Sequence, residues 1–153
     1  MADPGITFAG TVISISAGEP ATYDETGFEA LTFTPIGEIT TVVGSGGRTY
    51  EDVSYVVVND RATKHRKGTY DEAEQTIEMI VVRDDAGQIL CQAALDSDDY
   101  YAFKVEYNNG EIDYFTGLTI GFEGEGGDAN TMRSATMTMR RNYQGTVTVM
   151  PTP

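Results

Sequence analysis

A chain of 153 residues with 24 Asp plus Glu against 10 Lys plus Arg carries a formal net charge of −14. Phosphates repel such a chain at long range, which argues against a dedicated nucleic-acid binder but not against a protein that must contain DNA without sticking to it. Its 40 % hydrophobic content suits a buried core and argues against wholesale disorder, and no apolar run approaches the roughly 20 residues of a membrane-spanning helix.

Taken in chain order, the start "MADPGITFAG" has no basic region followed by an apolar core, so no secretory signal is expected. "ITFAGTVISIS" (6–16) is rich in β-branched residues and predicts a first strand with Ile13 and Ile15 on one face. "TYDETGFEAL" (22–31) reads as a turn-rich connector with room for one helical turn. "LTFTPIGEITTVV" (31–43) predicts a second strand in which Pro35 and Gly37 mark a bulge or an edge. Residues 44–73 open on "GSGG" and hold "SYVVVND", and they predict a long two-armed loop, extended, weakly packed and mobile until a partner orders it. "EQTIEMIVVR" (74–83) predicts a strand with Ile77, Met79 and Val81 opposite Glu78, Ile80 and Val82.

The spacing predicts a helix over about 84–96. Asp85 stands at its N-cap with Gln88 three residues on, the spacing of a capping box. Ala86, Ile89, Leu90, Ala93 and Ala94 form its apolar stripe, with Cys91 near the edge. A hairpin follows. Tyr101, Phe103, Val105 and Tyr107 alternate with Lys104 and Glu106, "NNG" turns the chain, and Ile112, Tyr114, Leu118, Ile120 and Phe122 return in phase. "EGEGGDAN" (123–130) reads as an acidic loop. Met137 and Met139 alternate with Thr136 and Thr138 in a further strand, and "TVTVM" forms a last short one. These elements predict a mainly β (α+β) fold, a β-sandwich of two packed antiparallel sheets with one flanking α-helix and a long hairpin loop.

Motifs for chemistry are poor. His65, the only histidine, stands among like charges with no group to hold it as a base, so no catalytic residue is assigned. Cys91 leaves no internal disulfide, suits a reducing cytoplasm and reads as a small core residue. "DSDDY" (96–100) lacks the spaced oxygens of a calcium loop, and neither "GSGG" nor "GEGG" is followed by the Lys-Ser/Thr of a phosphate loop. No metal and no cofactor is expected. The one charged feature that needs a reason is "NDRATKHRKGTYDEAE" (59–74), which gathers Arg61, Lys64, His65, Arg66 and Lys67 in an otherwise acidic chain. A solvated loop, a phosphate patch and a cationic arm for an acidic surface on another copy compete for it. The acidic flanks and the lack of interleaved aromatics weigh against phosphate.

"GFEALTFTPIGEITTV", followed by "RKGTYDEAEQTIEMIVVRDDAGQILCQAALDSDDYYAFKVEYNNGEIDYFTGLTIGF", resembles the major tail tube proteins of long-tailed, lambda-like siphophages, over residues 22–143. The resemblance implies a tail-tube domain over 1–153 that stacks as homohexameric rings, with sheets of neighbouring subunits joined around a lumen. DNA would pass through that lumen without specific binding. It further implies tape measure, tail tip and tail terminator proteins as partners, no membrane, and a place in the virion tail after synthesis in the host cytoplasm. Arg61, Lys64, His65, Arg66 and Lys67 would then form an inter-ring contact. Glu38, Glu78, Thr136 and Thr138, polar residues within apolar strands, are the candidates for the lumen wall. The immunoglobulin-like domain at the C-terminus of some relatives has no counterpart in the sequence up to Pro153. A tube of a gene transfer agent or an injection machine fits the same features, and a monomeric β-sandwich binding module is the rival from another class.

Overall fold

The computed structural model describes residues 5–44 and 46–151. Among these the chain forms β1 (Val12–Ser16), α1 (Glu25–Glu29), β2 (Thr34–Pro35), β3 (Ile39–Val43), β4 (Arg48–Tyr55), β5 (Lys64–Glu72), β6 (Glu74–Ile80), α2 (Ala86–Asp96), β7 (Tyr101–Glu106), β8 (Ile112–Glu125) and β9 (Ser134–Val149). Seven strands make one sheet in the order β2-β1-β7-β8-β9-β6-β3, with every neighbouring pair antiparallel. β4 pairs with β5 alone. The expected sandwich of two packed sheets with one helix is thus corrected to one sheet curled into a half-barrel, a separate hairpin and two short helices.

Connectivity forces the curl. β2 and β3 are the two edge strands, yet only Ile36, Gly37 and Glu38 separate them. From Pro35 to Ile39 the backbone can reach at most about 14 Å, whereas six flat inter-strand spacings would hold the edges about 29 Å apart. The stretch 31–43 is therefore two strands on opposite edges rather than one. Its break falls where Pro35 cannot donate to a ladder and where Glu38 takes a left-handed φ of 58°.

The interior lies between the curled sheet and α2. Ile13 and Ile15 of β1, Phe103 and Val105 of β7, Phe115 of β8, Met137 and Met139 of β9 and Ile77 and Met79 of β6 meet Cys91 and Ala94 of α2. The Phe103 and Phe115 rings stack with centroids 5.3 Å apart. A smaller cluster of Phe28, Ala102 and Tyr114 lies under α1 on the other face. Asp24 caps α1 by accepting from Gly27 N at 2.8 Å.

At α2 the cap is as expected and the stripe is not. Asp85 accepts from Gln88 N at 3.0 Å and also from Gly37 N at 3.1 Å. Gln88 does not turn back to close a capping box. Its Nε2 donates to the carbonyls of Gly37 (3.0 Å) and Ile80 (2.9 Å), and its Oε1 accepts from Val82 N at 3.0 Å. That demand rotates the helix, so Gly87, Gln88, Cys91 and Ala94 face the core while Ala86, Ile89 and Ala93 are exposed. Gly87 lies so close to the crossover that a Cβ there would sit 2.2 Å from the Pro35 carbonyl oxygen.

Three further boundaries differ. The first strand starts at Val12, because residues 7–9 are tied to the β7–β8 turn instead, with Asn108 donating to the carbonyls of Thr7 and Ala9. β9 is continuous where two strands were expected. Between Thr119 and Gly121 β8 carries one extra residue against β9, a bulge that breaks the single phase expected of it, whereas at Phe115–Gly117 the extra residues lie on β9 between Arg141 and Thr146. Tyr114 and Ile112 consequently join the α1 cluster and Ile120 is left exposed.

Replacing Gln88 by Ala leaves three half-buried backbone groups, the Gly37 and Ile80 carbonyls and Val82 N, without this partner. We expect a loss of about 2–4 kcal/mol in urea unfolding; a loss below about 1 kcal/mol would show that the crossover does not depend on this side chain.

Candidate functional site

Among the described residues no cluster of three or more His, Cys, Asp or Glu could hold a metal ion, and no helix is long and apolar enough to cross a membrane. Cys91 is fully buried, and burial, with a smaller push from Asp85, raises its thiol to about 12. It is an inert core group at neutral pH. The features that remain are two surfaces, a projecting arm and a polar sheet face.

The arm is the β4–β5 hairpin. The expected two-armed hairpin is thus a paired ribbon over 48–72, and at 8 and 9 residues its strands project roughly 25 Å. Ser45, within the expected "GSGG" turn, lies outside the described residues. Lys64, His65, Arg66 and Lys67 all fall on β5, so alternation sends them to two faces, and Arg61 lies in the connecting turn. On one face Lys67 sits 4.8 Å from the centroid of the Tyr50 ring and His65 Nδ1 lies 2.9 Å from Asp52. On the other face Lys64 and Arg66 stand opposite the exposed Tyr55 and Val53. Lys64 reaches Asp60 only at 4.0 Å, and among the described residues neither Arg61 nor Arg66 makes an ion pair.

The base of the arm is anchored by residues that sequence reasoning missed. Arg48 lies 2.6 Å from the buried carboxylate of Glu72 through Nη2 and donates to it from Nε at 2.7 Å. Arg48 also covers the Tyr70 ring at 4.0 Å and donates to the Tyr143 carbonyl at 3.2 Å. Arg140 of β9 reaches Asp71 at 3.6 Å and Glu74 at 3.3 Å. Beneath them the buried Arg141 lies 3.7 Å from the Phe115 ring and donates to Gln75 and Thr146. Burial lowers its pKa, and Asp113 leads the groups that oppose that fall. The available signal was cross-strand complementarity: "RTYEDVSY" and "KHRKGTYDE" place opposite charges and paired tyrosines in register.

The polar face belongs to β3, β6, β9 and β8, on the side away from the core. Thr136 pairs with Glu78 and Glu123, Thr138 with Thr76 and Gly121, and Ser134 with Glu125. Three of the four lumen candidates, Glu78, Thr136 and Thr138, are therefore neighbours on one surface. Glu38 is not in a strand: it lies in the crossover, where its carbonyl accepts from Ile80 N at 2.8 Å. Glu123 and Glu125, which sequence reasoning assigned to a loop, extend the same face as the end of β8. Its short hydroxyl side chains are interrupted by Glu74, Glu78, Glu123 and Glu125, with Arg140 as the cation in the paired register.

No protein-family model matches the chain, and no curated protein is similar to it in sequence. Solved structures do share its fold. A chain of the SPP1 tail tube superposes with a TM-score of 0.68 at 10 % identity, covering 97 % of this chain and 81 % of that one. A chain from the tail of an empty gene transfer agent particle, refined with C6 symmetry, gives 0.64 at 11 % identity over 97 % and 100 % of the two chains. One from the sheath/tube terminator of an extracellular contractile injection system, PVC, gives 0.69 at 10 % over 98 % and 100 %. The fold is thus one found in phage, gene transfer agent and contractile injection system assemblies, and at this identity the likeness concerns the fold alone.

Two outcomes follow from the anchored arm and the buried thiol. Arg48→Ala strands the Glu72 carboxylate in a buried site and should speed amide exchange across 48–72 by roughly tenfold, leaving β6–β9 unchanged; equal exchange in both proteins would remove the anchor. Cys91 should resist a maleimide at pH 7 until the protein unfolds, and rapid labelling of the native chain would contradict its burial.

Proposed function

We infer that this chain is a structural subunit that self-assembles into stacked hexameric rings, the tube of a phage-like tail through which DNA passes. The observation that carries the reading is the end-to-end correspondence of the whole fold, arm included in its span, with chains from tail and tube assemblies. Two features support it independently. The arm projects from the sheet with exposed apolar and cationic residues that the monomer leaves unused. The edge strand β3 pairs on one side only, leaving a row of backbone groups available to a neighbour. The lambda-like siphophage tube is the specific form we propose. Tape measure, tail tip and terminator proteins would be its further partners and the virion tail its location.

On this reading the polar face of β3, β6, β9 and β8 lines the lumen. Glu78, Thr136 and Thr138, with Glu123 and Glu125, would form a wall that repels phosphate and offers few donors to hold it. Several cationic contacts per ring would make the passage sticky, since each neutralised phosphate adds affinity through counterion release. Arg61, Lys64 and Arg66 of the arm would contact a neighbour in the adjacent ring. Lys67 and His65, which already have partners on the arm, would act mainly by holding it in shape.

The purified chain should form tubes of uniform diameter, by negative-stain microscopy and sedimentation, without nucleic acid or cofactor. A strictly monomeric particle at high concentration, in every salt condition and in the presence of a tail initiator complex, would exclude the reading. Exposed ion pairs contribute only about 0–1 kcal/mol each, but they repeat around a ring. Lys64→Glu combined with Arg66→Glu should therefore leave circular dichroism unchanged and sharply reduce tube yield, with salt weakening the wild type in the same direction. Lys67→Glu should have the smaller effect. A folded double variant that polymerises like wild type would remove the arm's cations from the interface.

A further inference from the structure

A groove of about 220 Å³ opens at the end of the core, between the first turns of α2 and the far ends of β8 and β9. Val82, Ile89, Phe122 and Ala135 supply its apolar wall, and its charged members are Arg83, Arg133 and Glu125. Ile89 is 53 % exposed there, whereas the other large aliphatic residues of its helix, Leu90 and Leu95, are half-buried. Among the described residues neither Arg83 nor Arg133 makes an ion pair, in a chain with more than twice as many acidic as basic residues. Glu125 is occupied by the Ser134 and Thr136 hydroxyls, so an apolar groove whose two cations outnumber its one carboxylate fits a segment that is apolar and then acidic.

The tip of the arm has that composition. "VVVND" (56–60) puts Val56 and the fully exposed Val58 at the far end of the hairpin, followed by Asp60. Within one molecule the two features lie at opposite ends of β6. The arm leaves beside Glu74, whereas Val81 and Val82 of the groove follow Ile80. A tip and a groove at opposite ends of one strand cannot satisfy each other within one chain, but they can between chains set head to tail. Such an interface uses two different patches and repeats without closing, which is how an open stack grows.

We propose that the arm tip of one copy, Val56 to Asp60, seats in the α2–β8–β9 groove of the next copy along the stack. The valines cover Ile89 and Phe122, and Asp60 faces Arg83 and Arg133. The proposal rests on the tube reading and adds the receiving site to it. It also divides the arm: the tip supplies the apolar seat, and the cations of β5 meet the acidic surface alongside.

The test uses the full chain carrying Val56→Cys and Ile89→Cys, treated with a short bis-maleimide under assembly conditions, with each single variant as control and Cys91 silent by burial. The expected result is a ladder of cross-linked multimers from the double variant and none from either control. Tubes that form without a ladder would overturn the groove and leave the tube reading standing, while a wild-type chain that never assembles would overturn both. A second arm does not depend on cross-linking: Val58→Asp and Ile89→Asp, both at exposed positions, should each keep the fold and cut sedimentable tubes at least tenfold. Wild-type yield from either variant would overturn the proposal.

Discussion

Gln88 donates from one amide nitrogen to the carbonyls of Gly37 and Ile80 and accepts from Val82 N, while Asp85 holds Gly37 N and the first turn of the helix. Between them the two side chains tie together the crossover, the end of β6 and the start of α2. Every other feature is positioned by this junction. The three-residue connection keeps the edges β2 and β3 together, so the sheet must curl, and this junction fastens that connection to α2. The curl in turn makes an interior on one side for the isoleucine, methionine and phenylalanine side chains. The bonds are partly shielded from solvent, so their loss would leave half-buried backbone groups unpaired, which is costly.

The arm depends on the same geometry. β3 leads into it and β6 takes the chain back, so its root is as rigid as the sheet edge it springs from. At that root Arg48, Glu72, Tyr70 and Arg140 bind it to β9, while nothing beyond Tyr70 contacts the rest of the chain by a polar side-chain bond among the described residues. A ribbon held at one end and free along its length keeps its direction while its tip explores space. Such a device costs little entropy on docking, because its backbone is already paired.

Charge is distributed with the same economy. The acidic excess is not uniform: glutamates run along the polar face of the sheet, while four of the ten Lys and Arg residues fall between 61 and 67 on the arm. Within a tube this division would place like charge toward the lumen, where adhesion to a polyanion is harmful. Cations would fall where two copies meet and their repulsion needs an offset.

Much of the local structure was legible from residue order, because it depends on near neighbours along the chain. Alternation marked β6, β7 and the inward methionines of β9, the Asp85 cap marked the start of α2, and Asn-Gly marked the β7–β8 turn. The basic run was legible as a cluster of cations, and three of the four polar residues singled out in the strands, Glu78, Thr136 and Thr138, stand on one face. Tertiary structure alone decided the rest. A single curled sheet in place of a sandwich follows from pairing partners far apart in sequence, which no local pattern encodes. The bulge in β8 between Thr119 and Gly121 switches its face, so a phase counted along the strand could not survive it. The buried side of α2 was set by a polar side chain, Gln88, whose three backbone partners outweigh the exposure of Ile89. The two faces of the arm, one committed to its own partners and one left open, appeared only once β4 and β5 were set in register.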